Sequence, residues 1–248
     1  MIIEVPFFMG DPMSFAGQIA SDERVEPDLP SGSPQERMAV LYRSLADRLG
    51  FLDQTAGGMP VVVAGDCVSA IGVLAGLQRR TVHPTLYFFD AHGDFHTWET
   101  TPSRFIGGMP LAMLTGRGEQ TIVDGAGLDP LPDDRVVLVD ARDLDPGEPV
   151  GESAVTVVSV DDVARGEPAA GPIHVHVDVD VVDPTDMPAV NYPAPGGPSL
   201  EAVETAVRRL AATGRVVAAS FSSWNPRLAG ASVAAAATAR LIAAVGSG

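Results

Sequence analysis

Two kinds of hydrophobic pattern alternate along the chain: short apolar runs rich in Val, Ile and Phe, and longer segments in which apolar residues recur at helical spacing. The short runs favour β-strands, and the longer segments favour helices. The sequence predicts strands at 2–8, 61–65, 85–89, 135–139, 155–160, 173–180 and 215–220, with a weaker candidate at 121–123. It predicts helices at about 34–50, 68–79, 109–115, 160–165, 199–213 and 230–246.

This alternation of strands and helices predicts an α/β fold. We expect three layers, α/β/α, in which a mostly parallel sheet of about eight strands is covered by helices on both faces. The Pro- and Gly-rich segments at 22–36, 124–134, 144–153 and 184–198 have the composition of loops between elements, and none has that of a domain linker. We therefore expect one domain over residues 1–248.

The charge balance is strongly acidic, with 32 Asp and Glu against 16 Lys and Arg and a formal net charge of −16. Nucleic acid is excluded as an expected partner, because phosphate binding needs clustered basic residues. An acidic cleft attracts metal cations and cationic small molecules. A solvated surface that keeps the protein soluble explains the same excess, so the charge alone leaves both interpretations open.

The cellular setting follows from what the sequence lacks. One cysteine, Cys67, cannot form an intramolecular disulfide. The N-terminal segment has no basic region typical of a signal peptide, and no apolar run approaches the roughly 20 residues that span a bilayer. We expect a cytoplasmic protein with a small-molecule substrate and no membrane partner.

Acidic residues follow several of the predicted strands. In open α/β sheets the ligand site lies beyond the carboxyl ends of the strands, so residues distant in sequence meet there. The clusters are Gly65-Asp66-Cys67, Asp90-Ala91-His92-Gly93-Asp94 and the segment from Asp178 to Asp183. This placement is typical of a metal site.

The chemistry of these clusters also favours a metal. Asp178 and Asp180 are predicted on one face of a strand, where two buried carboxylates cost several kcal/mol each unless a cation or a proton neutralises them. Exposed acids at the start of a loop are the alternative explanation. Asp90, His92 and Asp94 add oxygen and nitrogen donors, which suit Mn²⁺ and also Zn²⁺, Co²⁺ or Fe²⁺.

Three ordered motifs carry a resemblance to a known family. Asp90-Ala91-His92-Gly93-Asp94 resembles the Asp-Ala-His-x-Asp motif of the ureohydrolases, and the segment from His176 to Pro188 resembles their Ser-x-Asp-x-Asp-x-x-Asp-Pro-x-x-x-Pro signature. Gly65-Asp66-Cys67-Val68-Ser69 resembles their Gly-Gly-Asp-His-Ser motif. The resemblance is closest to arginase-like amidinohydrolases and implies the arginase/deacetylase-like version of the α/β/α fold. It covers about residues 60–230.

The resemblance implies a dinuclear centre with two Mn²⁺ ions. Asp90 and Asp178 would bridge the ions, Cys67 and Asp94 would complete the ligands of one, and His92 and Asp180 those of the other. It also implies hydrolysis of a C–N bond by a hydroxide that bridges the two ions, with Asp94 and Asp180 in catalytic roles.

Two further segments resemble the substrate-binding parts of arginases. Arg142-Asp143-Leu144-Asp145-Pro146-Gly147-Glu148 is similar to a segment whose second Asp contacts the substrate α-amino group, a role that falls here to Asp145. The spacing from Asp94 to Pro110 places Thr101 and Ser103 where arginases contact the substrate carboxylate.

Three positions depart from the family pattern. Cys67 stands where the family has a histidine ligand, which shifts the metal preference towards Zn²⁺ or Fe²⁺ if the thiolate binds. Gly107 stands where the family has a proton-shuttle histidine, and His96 is the candidate that remains for proton transfer. Ser223 stands where arginases have a glutamate that holds the guanidinium. Trp224, beside it, is either a stacking surface or a core residue.

We therefore expect a metal-dependent amidinohydrolase that acts on a guanidino or amidino compound with an α-amino acid end. N-hydroxyarginine suits the altered site better than arginine, because a less basic group depends less on the absent glutamate and histidine. Two alternatives stay open: a relative that hydrolyses another amide, amidine or peptide-borne arginine, and a degenerate binding or regulatory protein. A homo-oligomer is expected only by analogy with the fold.

Overall fold

An eight-stranded sheet forms the centre of the protein in the computed structural model, which describes residues 1–15, 18–52 and 58–246. All of its strand pairs are parallel, and the strand order is β4-β1-β5-β10-β9-β6-β7-β8. Its strands are β1 (Ile2–Val5), β4 (Glu23–Arg24), β5 (Val61–Ala64), β6 (Thr85–Phe89), β7 (Val136–Val139), β8 (Thr156–Val158), β9 (Ile173–Asp178) and β10 (Val216–Ser222). A separate antiparallel pair consists of β2 (Phe7–Phe8) and β3 (Asp11–Pro12).

Helices cover both faces of this sheet, as the α/β/α prediction requires. The helices are α1 (Pro34–Gly50), α2 (Ser69–Arg79), α3 (Pro110–Leu114), α4 (Thr121–Ala126), α5 (Val160–Arg165), α6 (Leu200–Ala211) and α7 (Ala231–Val245). Apolar side chains of α1 to α4 pack on one face, and those of α5 to α7 pack on the other. The fold class predicted from the sequence is confirmed.

The helix boundaries have recognisable local causes. Ser33 caps α1 by accepting a hydrogen bond from the backbone N–H of Glu36, whose side chain accepts one from the backbone N–H of Ser33. Ser199 caps α6 by accepting from the backbone N–H of Ala202, which confirms the predicted start of that helix. The helix ends at Ala211, shortly before Gly214, whose φ of +65° lies in the left-handed region.

The structure corrects several of the predicted strands. Residues 121–123 are all β-branched, and two of them are apolar, but they begin helix α4, which packs on α1 through Ile122 and Val123. The predicted strand 2–8 divides into β1 and β2, and β4 was not predicted. The predicted strand 173–180 ends at Asp178, and a 3₁₀ turn, Val179–Val181, follows. Asp180 therefore lies on a turn, and its position does not follow from strand alternation.

Parallel strands bring their carboxyl ends to one edge of the sheet. The central strands β5, β10, β9 and β6 are neighbours, and each is followed directly by polar residues at this edge. The clusters after β5, β6 and β9 are far apart in sequence and lie at the same place in the fold. None of the described helices is long and apolar enough to cross a membrane.

Candidate active site

A cleft of about 510 Å³ opens at the carboxyl ends of the central strands. Every residue predicted to bind metal contributes to its wall: Cys67, Asp90, His92, Asp94, Asp178 and Asp180. The structure thus brings together three segments that the sequence separates by up to about a hundred residues. Among the described residues that line the cleft, none is Lys or Arg.

The donor atoms form two compact groups that share one carboxylate. One ligand atom each from Cys67, Asp90 and Asp94 lie within 4.8 Å of one another. The same is true of Asp90, His92 and Asp180. Asp90 therefore belongs to both groups, which is the position of a residue that bridges two ions.

The four carboxyl groups in this cluster are buried, and their neighbours are largely other carboxyl groups. Burial, followed by repulsion from Asp178, raises the pKa of Asp90 to about 6. Burial, followed by repulsion from Asp90, raises the pKa of Asp180 to about 6. The same two causes, burial and a neighbouring carboxylate, raise the pKa of Asp94 and of Asp178 well above the usual range. This arrangement is costly for bare anions, and a cation would relieve it.

His92 is the positive group closest to these acids. Its Nδ1 lies 3.2 Å from Oδ1 of Asp90 and 3.2 Å from Oδ2 of Asp180. Burial alone would lower the pKa of His92, but the hydrogen bonds with Asp180 and Asp90 outweigh it and raise the pKa to about 12. His92 therefore offers its Nδ1 to the same two carboxylates that share its donor group.

Cys67 lies directly beside Asp94 at the other side of the cluster. Its Sγ is 3.0 Å from Oδ2 of Asp94, and the residue is 5% exposed. Burial and the charge of Asp94 raise the pKa of the Cys67 thiol well above its usual range. The Cys67 side chain belongs to the buried apolar cluster on that face of the sheet, and its sulfur contacts the Asp94 carboxylate.

Asp94 and Ser223 hold backbone conformations that side chains rarely adopt. The φ of Asp94 is +51° and that of Ser223 is +77°. Left-handed backbone at a residue other than glycine is uncommon and gathers at functional sites, because the surrounding structure must compensate for the strain. Here it directs the Ser223 hydroxyl to Oδ2 of Asp178 in a very short hydrogen bond.

A second group of predicted residues lies nearer the mouth of the cleft. His96 is 4% exposed, and its Nε2 lies 3.2 Å from Oδ2 of Asp145, whose side chain is about half exposed. The other ring nitrogen, Nδ1, is 3.0 Å from the hydroxyl of Thr100. His96, predicted as the remaining proton-transfer candidate, thus contacts Asp145, the residue predicted to bind the substrate α-amino group.

Thr101 and Ser103, the two residues predicted to contact the substrate carboxylate, are placed differently. Ser103 lines the cleft, whereas Thr101 is not among the residues of its wall. The Thr101 hydroxyl accepts a hydrogen bond from the backbone N–H of Arg104, and the Ser103 hydroxyl accepts one from that of Phe105. Both side chains therefore also shape the turn that leads into the 3₁₀ helix Ile106–Gly108.

Glu148 is a cleft residue that the sequence analysis did not single out. Its carboxylate accepts hydrogen bonds from the backbone N–H of Phe95 at 2.8 Å and of Asp145 at 3.3 Å. Gly93 makes this possible, because a Cβ at that position would lie 2.5 Å from Cδ of Glu148. Glu148 fixes the loop that carries Asp145 to the loop that carries Asp94. Its place in the same short motif as Asp145 was the available signal.

Arg142 links the 3₁₀ turn Val179–Val181, which carries Asp180, to the loop that follows it. Its guanidinium donates hydrogen bonds to the carbonyl oxygens of Asp180, Val181 and Ala194 at 3.3, 2.9 and 2.7 Å, and to the carboxylate of Asp140 at 2.9 Å. These bonds hold the loop with Asn191, Tyr192 and Pro193 against the cleft.

An aromatic wall formed by Phe8, Phe105 and Tyr192 is the other feature that the sequence analysis missed. The ring centroids of Phe105 and Phe8 are 6.5 Å apart, and those of Phe105 and Tyr192 are 5.3 Å apart. All three rings line the cleft. They come from a short hairpin strand and two irregular loops, where no periodic pattern indicates side-chain direction.

Trp224 is a core residue and not a stacking surface of the cleft. It is 1% exposed and packs against Phe15, with ring centroids 4.6 Å apart. Of the two interpretations given to it by the sequence, burial is the one observed.

The residues present fit a pair of divalent cations. The two donor groups share Asp90, and Oδ2 of Asp90 is buried with no hydrogen-bond partner among the described residues. An orphaned buried carboxylate oxygen is costly unless a cation binds it. The donors are carboxylate oxygens, an imidazole nitrogen and a sulfur, which suit Mn²⁺, Fe²⁺, Co²⁺ and Zn²⁺.

Comparison with known sequences identifies one family. The model of the arginase family matches residues 18–246. The arginase of Bacillus subtilis (strain 168) is 35% identical over 184 residues, and that of Bacillus caldovelox is 33% identical over 188 residues. These matches cover 68% and 69% of this chain but only 62% and 63% of the two relatives, which is less than two thirds of their length.

Comparison with solved structures extends over the whole chain. The crystal structure of arginase from Bacillus cereus superposes with a TM-score of 0.82 at 27% identity, covering 100% of this chain and 98% of that one. Entamoeba histolytica arginase, solved in complex with L-ornithine, has a TM-score of 0.81 at 20% identity and covers 99% of this chain and 97% of that one. The second match, at such low identity, bears on the fold alone.

Proposed function

This chain belongs to the arginase family, and we propose that it is a metal-dependent amidinohydrolase. It hydrolyses a C–N bond in a guanidino or amidino compound with an α-amino acid end. The observation that carries the proposal is the pair of donor groups that share Asp90 within one buried cluster of acids. A structural role does not require four carboxyl groups to be buried together without a neutralising Lys or Arg in the cleft wall of the described residues.

Two divalent cations are the cofactors of this proposal, with Mn²⁺ as the family's expected metal. Asp90 and Asp178 would hold both ions, Cys67 and Asp94 would complete one ligand set, and His92 and Asp180 would complete the other. Bound there, the ions would supply Lewis-acid activation of water and of the substrate carbon. A thiolate ligand at Cys67 shifts the preference of one site towards Zn²⁺, Fe²⁺ or Co²⁺.

The chain's own residues manage the protons of the reaction. Asp94 and Asp180, whose carboxyl groups line the cleft, would accept the proton that the attacking water gives up. His96 supplies the proton that the leaving nitrogen needs, and its contact with Asp145 at 3.2 Å orients the ring. The C–N bond breaks as that nitrogen is protonated.

The mouth of the cleft binds the distal end of the substrate. Asp145 receives the α-amino group, because its carboxylate is about half exposed and lies on the cleft wall. Ser103 and Thr101 donate to the α-carboxylate, with Ser103 the nearer to the cleft. Ser223 takes the position of the guanidinium-binding glutamate and provides a hydroxyl in its place.

The substitutions favour N-hydroxyarginine over arginine as the substrate. Without a carboxylate at Ser223, the site loses a charge-assisted bidentate pair with a strongly basic guanidinium. Without a histidine at Gly107, it loses an acid that typically contributes about 10²–10⁴-fold to rate. Both losses matter less for a less basic hydroxyguanidine.

The direct test uses the purified protein loaded with Mn²⁺, Zn²⁺ or Co²⁺. Each form is assayed against arginine, N-hydroxyarginine, agmatine and formimidoylglutamate, with amine and urea-type products quantified. We expect the highest kcat/KM with N-hydroxyarginine and no turnover in Asp90→Asn. Equal inactivity of all metal forms on all four compounds would refute the proposal.

The second candidate is a binding or regulatory protein that kept the fold without turnover. The observation that favours it is the absence of both the shuttle histidine and the guanidinium-binding glutamate, at Gly107 and Ser223. Elemental analysis separates the two candidates, since the enzyme retains two ions per chain and the degenerate protein retains one or none.

A further inference from the structure

A row of buried polar side chains runs through the sheet towards Asp178. His174 and His176 of β9 both contact Ser220 of β10: Nε2 of His174 lies 2.9 Å, and Nδ1 of His176 2.7 Å, from the Ser220 hydroxyl. Nε2 of His176 lies 3.4 Å from the hydroxyl of Ser222. The row continues to Asp178 through one further hydroxyl.

That hydroxyl belongs to Ser223. Its Oγ lies 3.3 Å from Oγ of Ser222 and makes the very short hydrogen bond to Oδ2 of Asp178. Five side chains thus connect the interior of the sheet to a predicted metal ligand without a break: His174, Ser220, His176, Ser222 and Ser223. The first four are at most 1% exposed.

Such a row is unusual in the middle of a parallel sheet, where apolar residues fill both faces. Each unpaired polar group buried there costs about 1–3 kcal/mol. Burial lowers the pKa of His174 to about 3, so its ring is neutral. Phe88 packs on the ring of His176, with centroids 4.5 Å apart, and leaves it the two serines as hydrogen-bond partners.

Counting donors and acceptors fixes the direction of the row. Among the described residues, Nδ1 of His174 has no hydrogen-bond partner. A buried N–H without an acceptor is rarer and more costly than a buried lone pair without a donor, so we assign the His174 proton to Nε2. His174 then donates to Ser220, which leaves the single hydroxyl proton of Ser220 to donate to Nδ1 of His176.

The same count applies to the rest of the row. Because Nδ1 of His176 accepts, its proton is on Nε2 and donates to Ser222. Ser223 could donate to Ser222 or to Asp178, but it has one hydroxyl proton, and we assign that proton to the carboxylate of Asp178, the stronger acceptor. The hydroxyl of Ser222 is then left to donate to Ser223. All five donors point the same way and end on one carboxylate oxygen.

We propose that this one-way row of hydrogen bonds is a positioning device that orients the Asp178 carboxylate as an anionic metal ligand. Hydrogen bonds in a chain polarise one another, and donors that end on a carboxylate favour its charged form. Hydrogen bonds of this kind behind a ligand set both its orientation and its affinity for metal. The inference rests on the proposed metal centre, and it assigns Ser223 to Asp178 in addition to substrate.

Metal affinity in variants of the row tests the proposal. Ser223→Gly removes the last donor and accepts the left-handed backbone, and Ser220→Ala breaks the row at its centre. We expect Ser223→Gly to weaken Mn²⁺ binding, measured by calorimetry on the folded protein, by about 10–100-fold. We expect Ser220→Ala to weaken it by a smaller factor and Ser220→Thr, which keeps the hydroxyl, to restore it.

The matched control is Thr238→Val, which removes a fully buried hydroxyl from α7, away from the cleft. It is expected to leave metal affinity unchanged. If Ser220→Ala does not fold, Ser222→Ala interrupts the row while leaving the contact between the two imidazoles and Ser220 in place. Unchanged affinity in Ser223→Gly and in a folded central variant would overturn the proposal.

The direction of the row has its own readout. In protein labelled with ¹⁵N-histidine and loaded with diamagnetic Zn²⁺, ring nitrogen shifts should place the proton of both His174 and His176 on Nε2. A proton on Nδ1 of His176 would reverse the row and overturn the proposal. These outcomes are distinct from those of the hydrolase assay. If the row variants bind metal more weakly and the wild type shows no turnover, the row is supported and the hydrolase is refuted. If the wild type shows turnover and the variants keep its metal affinity, the hydrolase is supported and the row is refuted.

Discussion

The ring of Phe105 occupies the space that a side chain at Gly107 would need. An ideal Cβ on Gly107 would lie 2.5 Å from Cζ of Phe105, with a second ring carbon closer still. The ring is held in the aromatic wall between Phe8 and Tyr192. A histidine at position 107 would therefore require the Phe105 ring to move, so Gly107→His alone should not supply a proton shuttle.

This relationship predicts the outcome of two substitutions. Gly107→His alone should not raise activity on arginine, because the imidazole would collide with Phe105. Phe105→Ala combined with Gly107→His makes room for the imidazole and should raise kcat on arginine by about tenfold or more, since general acid help contributes about 10²–10⁴-fold. The measurement is steady-state kinetics of the metal-loaded variants. Phe105→Ala alone is the control for the space created. Equal rates in Phe105→Ala and in the double variant would contradict the coupling between Phe105 and position 107.

Cys67 should bind metal through its sulfur. In the Co²⁺-loaded protein we expect an intense near-ultraviolet charge-transfer band of a thiolate ligand, because the Sγ belongs to the donor group with Asp90 and Asp94. Cys67→Ser should abolish this band and lower affinity by more than the roughly tenfold cost of losing a supporting hydrogen bond. Cys67→His should restore affinity and shift preference towards Mn²⁺. A spectrum identical in the wild type and Cys67→Ser would exclude ligation.

Asp145 should decide affinity for substrates that carry an α-amino group. Asp145→Asn removes a charge-assisted hydrogen bond, which we expect to raise KM about tenfold for N-hydroxyarginine, a modest factor because the side chain is about half exposed. A substrate analogue without the α-amino group should be unaffected. Asp129→Asn, on an exposed loop outside the cleft wall, is the matched control. A uniform loss on both compounds would instead indicate that Asp145 acts by holding His96.

The position of the site was predictable from the sequence, because it depends on regular structure. Parallel strands bring their carboxyl ends to one edge, and acidic residues directly after β5, β6 and β9 must meet there. Donor atoms of Cys67, Asp94, His92 and Asp180 gather around Asp90 in two groups, whereas Asp178 belongs to neither group, so the ligand assignments implied by the motif resemblance stay predictions.

The details that the sequence did not predict belong to irregular backbone and tertiary packing. The strand interpretation of 121–123 followed from β-branched residues, but packing on α1, where Gly125 faces Ala39 closely, makes this segment a helix. Asp180 was placed on the strand face with Asp178, although the chain turns directly after Asp178. Phe105 and Tyr192 lie on loops, where no periodicity indicates which side chains meet.

The buried imidazole of His174 should make stability depend on pH in the metal-free protein. Its pKa in the folded protein is about 3, below the ordinary value of 6.5, because burial disfavours the charged ring. The unfolded chain therefore binds more protons between these values. The contribution of His174 to stability is fully present above about pH 6.5 and is lost as the pH falls towards 3, by up to about 1.4 kcal/mol per pH unit.

His174→Gln isolates this contribution, since glutamine keeps a donor for Ser220 but does not titrate. We expect the free energy of unfolding, measured by urea titration in the presence of a chelator, to fall less steeply from pH 6.5 to pH 5 in the variant than in the wild type. The difference between the two proteins matters, because the buried carboxyl groups titrate in both and act in the opposite direction. His83→Gln, in an exposed loop, should keep the wild-type slope. Parallel pH profiles for the wild type and His174→Gln would mean that burial does not lower the pKa of His174 in the folded protein, which would contradict the neutral ring inferred for it.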